Sequence, residues 1–221
     1  KDAISKAEKE NTNSIVISSA DTKDATNITL EIPVSAAQNI AENSNLSLEV
    51  ETASGNVSIS NETLNSIVEQ VGTDENLKVT VEITSADKVL ESVSEESAKT
   101  ITENVEKSIL ENAVIVEVNI TSGDKHVRSF GGNKLTVDVP VDGKGHNEGK
   151  HYKVHIVSAD GKMDTTFGKC VSKGGKLVIK VDTTHLSSFI VTDIETCPFG
   201  DVPNHWAYEA VKYVYANSLM Q

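Results

Sequence analysis

Three histidines, His146, His151 and His155, are the first residues whose types and spacing invite chemistry, because imidazole is the commonest protein metal ligand. A four-residue spacing such as His151 to His155 suits a metal site on a helix. On a strand it only keeps the two side chains on one face, and His146 falls among glycines. The pattern therefore favours solvated or internally bonded histidines over a metal centre. Four aspartates, Asp138, Asp142, Asp160 and Asp164, pose a second question, since glycoside hydrolysis needs two carboxyl groups on facing walls of a cleft. Most of them lie in turn-forming stretches, where Asp is expected for its local backbone hydrogen bonds. The chain holds no Gly-x-Ser-x-Gly, no phosphate loop, no His-Glu-x-x-His and no regularly spaced acidic calcium loop. Hence no reaction, metal or cofactor is expected from these residues. Cys170 and Cys197 allow one disulfide, which would tie the linker near residue 196 to the preceding sheet; two inert thiols are the alternative.

The elements that must position these residues can be read from composition and periodicity. With 221 residues, 38% of them hydrophobic and 24% charged, the chain has the balance of a folded domain or two, with a sizeable core. A net charge of −13 opposes binding to nucleic acid phosphates and suits solubility outside the cell. No window approaches the roughly 20 apolar residues that a membrane-spanning helix needs. Lys1 opens without a basic and apolar leader, so in a secreted protein the leader is expected to have been removed. Five of the nine aromatic residues, Phe199, Trp206, Tyr208, Tyr213 and Tyr215, follow residue 196. This shift marks a boundary there.

Helices are expected over 2–10, 35–42 and 61–71, the last from Leu64, Ile67, Val68 and Val71 at helical spacing. Strands are expected at 15–17, 28–33, 46–50, 57–59 and 77–83, with a hairpin turn at Ser54-Gly55. Residues 85–112, rich in Ser, Glu, Thr and Lys, read as a polar connection holding one helix within 95–110. From Val114 onward the pattern is all β, with strands at 114–120, 126–130, 134–139, 151–158, 163–167, 177–181 and 187–192 separated by Gly-containing turns. The fold class expected is mainly β with short helices, an α+β arrangement: a β-sandwich-like body followed by a C-terminal helix. Its parts are a mixed α/β subdomain over 1–112, an all-β subdomain over 113–195, and a linker with a terminal helix over 196–221.

That terminal stretch carries Phe199, Asp201, Val202, His205, Trp206, Ala207, Ala210 and Val211, followed by Leu219 and Met220. Asn204 is placed to cap a helix whose residues Trp206, Ala210, Val211 and Val214 form one apolar stripe. The pattern resembles the first helix of an S-layer homology (SLH) repeat. In that family the aspartate and tryptophan belong to a three-helix bundle that recognises secondary cell-wall polysaccharide. The resemblance implies wall binding by Asp201, His205 and Trp206 only in a completed repeat, because the Gly-rich loop, second helix and Thr-Arg-Ala-Glu-like motif lie outside this chain.

Upstream, the segments at 28–33, 130–140, 151–157 and 183–191 resemble the β-rich modules that precede SLH repeats in Gram-positive surface proteins, distantly similar to ZU5 domains. Within them, Thr184-His185-Leu186-Ser187 resembles the self-cleavage site of GAIN-type domains. That resemblance implies His185 taking the Ser187 Oγ proton, Oγ attack on the Leu186 carbonyl, and hydrolysis of the resulting ester. The cysteine framework and tryptophan of such sites are missing, and 186–191 reads equally as an ordinary final strand.

Together these readings lead to an expectation of a secreted, monomeric, non-enzymatic module at a bacterial cell surface, a spacer or presentation domain beside SLH repeats. Two rivals remain: a carbohydrate-binding or adhesive body, for which only Phe130, Tyr152, Phe167 and Phe189 are available as stacking platforms before residue 196, and a self-cleaving module at His185, Leu186 and Ser187.

Overall fold

Alternation of β-branched and polar residues builds the strands of this chain. In Leu77-Lys-Val-Thr-Val-Glu-Ile-Thr84, for example, Leu77, Val79 and Val81 are buried while Lys78 is exposed. The computed structural model describes residues 7, 9–10, 12–18, 26–42, 46–72, 75–141, 145–192, 205–216 and 219. Its strands are β1 (Ser14–Ser18), β2 (Asn27–Ile32), β3 (Ser47–Thr52), β4 (Gly55–Ile59), β5 (Leu77–Thr84), β6 (Val114–Ser122), β7 (Lys125–His126), β8 (Leu135–Val141), β9 (His151–Ser158), β10 (Met163–Lys173), β11 (Lys176–Thr183) and β12 (Ser187–Val191). The helices are α1 (Val34–Glu42), α2 (Asn61–Val71), α3 (Ala86–Ser92), α4 (Glu95–Asn104), α5 (Lys107–Asn112) and α6 (Tyr208–Ala216). This is a β-rich α+β fold. The helix expected over 2–10 lies largely outside the described residues.

The described chain divides into two compact units: Lys1–Ile83 with Glu117–Val137 and Asp182–Leu186, and Thr84–Val116 with Asp138–Val181 and Ser187–Gln221. Neither is one stretch of sequence. Residues 84–112, grouped by sequence with the N-terminal stretch, belong to the second unit.

In the first unit β1 runs parallel to β3, β3 forms a hairpin with β4, β2 pairs antiparallel with β5, and β7 folds back on β6. Helix α2 begins as its sequence dictates. The Ser60 side chain accepts the Thr63 N–H at 3.2 Å, Glu62 sits in the first turn, and Leu64, Ile67, Val68 and Val71 are buried. Gly72, at φ 78°, ends it by donating its N–H to the Val68 carbonyl, and Lys125 Nζ, delivered by β7, donates to the Val71 carbonyl at 2.7 Å. Asn61 Nδ2 donates to the Ala41 carbonyl at 2.6 Å, fastening α2 to the end of α1. The strand expected at 126–130 is reduced to the two-residue β7. Residues 128–130 instead face 184–186, through the Ser129–His185 bridge and the Phe130 N–H on the Thr184 carbonyl.

In the second unit β11, β10, β9 and β12 are neighbours in that order, all antiparallel. β10 continues to Lys173, beyond the Phe167 limit expected from sequence, and pairs with β9 at one end and with β11 at the other. The segment expected to hold one helix holds three, α3, α4 and α5, of which α3 and α4 are capped by Ser85 and Ser94. Each helix contributes a single buried residue, Val89, Ile101 and Leu110 respectively, to a cluster completed by Val105, Ile115, Val157 and Ile190. One anchor per helix is too sparse for a periodic signal. Ile101 is fully buried in this cluster. Ile101→Ala is expected to lower unfolding free energy by about 2–5 kcal/mol and Ile101→Val by about 1 kcal/mol, measured by urea denaturation. Equal, negligible losses would show that the helices do not close this core.

Candidate functional site

The densest set of polar groups among buried side chains lies in the second unit around β9. β9 is paired on both edges, with His155 opposite Thr165 of β10 and opposite Ile190 of β12, so its backbone groups are committed and its chemistry resides in side chains. His155 is 6% exposed, and its Nδ1 lies 2.9 Å from Thr165 Oγ1. Desolvation, with a smaller contribution from Lys153, lowers its pKa to about 4. The ring is therefore neutral at pH 7 and bonded to a hydroxyl, a state that suits a structural histidine.

His146 occupies the loop before β9 and is buried against Tyr152, with ring centroids 4.6 Å apart. Its Nε2 lies 3.3 Å from the Thr192 carbonyl, which can only accept, so Nε2 carries the proton. Nδ1 is buried with no hydrogen-bond partner. The Tyr152 hydroxyl accepts the Asn147 N–H at 2.6 Å, and Thr192 Oγ1 donates to the Lys153 carbonyl at 3.0 Å. His151 faces elsewhere. Its Nε2 is 2.7 Å from the Tyr208 hydroxyl and the two rings meet edge to face, which ties the start of α6 to β9. The sequence signal for Tyr208 is the crowding of aromatics after residue 196, which gives no hint of His151 as its partner. The three histidines thus have three separate surroundings, and among the described residues no group of three His, Cys, Asp or Glu side chains converges as a metal site would.

The carboxylates are likewise dispersed. Asp138, buried on β8, is 3.2 Å from Lys173 Nζ. Asp160 occupies the turn between β9 and β10, where the Ser158 hydroxyl and Lys162 hold its carboxyl well below the usual carboxylate range. A general acid in glycoside hydrolysis needs the opposite shift. Asp164 is exposed on β10, and Asp142 lies outside the described residues. Cys170 is fully buried on β10, where desolvation and Glu148 push its thiol up. Cys197 is outside the described residues, and so is the proposed pairing.

His185 sits in the bridge with Ser129, its N–H donating to Thr183 Oγ1 at 3.3 Å while Thr183 Oγ1 donates to the His185 carbonyl at 2.8 Å. Ser187 opens β12 opposite Ser158; it is 5% exposed and its Oγ makes no hydrogen bond. The nucleophile–base hydrogen bond that activates a serine is therefore not made at Ser187.

At the terminal helix, Asp201 and the expected cap Asn204 lie outside the described residues. His205 Nδ1 accepts the Ala207 N–H at 3.2 Å, and its ring is 5.4 Å from that of Trp206. Trp206 is 91% exposed. The expected stripe is split: Trp206 and Ala210 point to solvent with Tyr213, while Ala207, Tyr208, Val211 and Val214 are half-buried. The Tyr208–His151 bond sets this rotation, since it fixes which side of α6 meets the strands. Comparison with family models, curated proteins and solved structures returned no match.

His155 supplies a pH test. Its folded pKa lies below the ordinary value of about 6.5, so the unfolded chain binds a proton between about pH 6.5 and 4 that the folded chain refuses. The stability present above pH 6.5 is lost as pH falls through this window, by about 3 kcal/mol in full. His155→Gln is expected to flatten the fall in urea midpoint between pH 6.5 and 4; an unchanged slope would place the titration elsewhere.

Proposed function

We propose that this chain is a non-enzymatic extracellular module of a cell-wall-anchored bacterial surface protein, a spacer or presentation domain beside SLH repeats. One observation carries the reading: the SLH-like residues include a tryptophan, Trp206, that stands 91% exposed at the head of a helix already joined to the body through Tyr208. An aromatic ring left in water at that position fits a helix whose second face is meant for further bundle helices. The excess of carboxylates, at net −13, fits a protein that works in solvent at a surface rather than on a polyanion. No helix among the described residues is long and apolar enough to cross a membrane. The partner assigned is secondary cell-wall polysaccharide, held by complete SLH repeats through residues corresponding to Asp201, His205 and Trp206.

The test is co-sedimentation with purified Gram-positive wall sacculi, comparing this chain with a fusion that completes the SLH repeats after Gln221. The fusion is expected to pellet and this chain to stay in the supernatant, and Trp206→Ala is expected to weaken the fusion. Pelleting of this chain unaided would make the body a glycan binder and overturn the spacer reading.

A further inference from the structure

Strand β1 is an edge with an unusual sequence. In the parallel pairing with β3, the Asn13 carbonyl accepts the Ser47 N–H at 2.9 Å, so by the two-residue repeat the peptide groups of Asn13, Ile15 and Ile17 face β3. Those of Ser14, Val16 and Ser18 face away. Among the described residues nothing pairs with this second edge, apart from a long 3.4 Å bond from Thr12 Oγ1 to the Ser14 carbonyl. Natural edge strands are normally guarded by a charge or a proline. The edge strand β2 follows that rule, with Glu31 ion-paired to Lys78 at 3.3 Å and Pro33 directly after it. β1 has neither, and Val16 is 51% exposed.

Its sequence, Ser14-Ile15-Val16-Ile17-Ser18, also reads the same in both directions. That matters because a two-fold interface brings one surface onto itself, and an antiparallel strand pair centred on Val16 places like against like. We propose that β1 is the contact strand of a symmetric homodimer, two copies joining their β1 edges antiparallel about Val16. Val16 and the partner's Val16 then form a hydrogen-bonded pair, as do Ser14 and the partner's Ser18, using only the outward peptide groups. On the buried face, Ile15 lies opposite the partner's Ile17; on the outer face the exposed Val16 side chains cover each other. The occupant is a second copy rather than an unrelated strand because every position of the palindrome is satisfied by itself. The pairing replaces the monomer expected from sequence and is independent of the wall-anchor reading.

The interface is small, so its dimer is weak. Sedimentation velocity on the whole chain from about 1 µM to about 1 mM spans the range for such a contact. The mass is expected to rise from 23.7 kDa towards twice that value. Val16→Pro removes the outward N–H while sparing the bonds to β3, and is expected to abolish the rise. Should that variant misfold, the pair Ser14→Glu with Ser18→Glu sets like charges opposite and blocks dimerisation. Ser14→Lys with Ser18→Glu sets opposite charges together and restores it. A monomer at every concentration, or a dimer that these charge variants leave alike, would overturn the proposal.

Discussion

The pairing of β9 on both edges is the constraint on which the second unit depends. With β10 on one side and β12 on the other, the strand has no free backbone, and residues 154–157 are buried on both faces. Val154, Ile156 and Val157 meet that condition as apolar side chains; His155 meets it by staying neutral and bonding Thr165. A charged imidazole there would lose its hydration without a counter-charge, which is the reason the site opposes protonation. The same strand carries His151 at its start, where the half-buried ring bonds the Tyr208 hydroxyl of α6.

That bond, with the half-buried Val211 and Val214, holds α6 to the strands of the second unit. Its other side keeps Trp206 and Tyr213 in solvent. An exposed aromatic face on a helix held to the strands is the feature on which the proposed spacer role rests. Within the second unit Asp138 is held by Lys173, Asp160 by Ser158 and Lys162, and His146 Nε2 by the Thr192 carbonyl.

Where local chemistry decides, the sequence is transparent. Ser60 and the spacing of Leu64, Ile67, Val68 and Val71 define α2 from first residue to last, and Ser54-Gly55 sets the β3–β4 turn. Where tertiary packing decides, it is not. Three short helices with one buried anchor each leave no stripe to read, and β10 outruns its apolar pattern because β11 takes over as its partner when β9 ends. The histidines show the same division. That His151 and His155 share a strand face follows from spacing, whereas Thr165, Thr192 and Tyr208 as their neighbours' partners follow only from the register and loops that bring residues 10, 46 and 57 positions apart together.

Fluorescence of Trp206, the chain's one tryptophan, tests most directly whether α6 presents an open aromatic face. In the native chain the emission should be that of a water-exposed indole, with acrylamide quenching as efficient as in urea, and both should change to those of a shielded ring in the fusion that completes the repeat. A native spectrum already blue-shifted and protected from acrylamide, reverting only on unfolding, would mean that Trp206 belongs to the body's own core and would contradict the account.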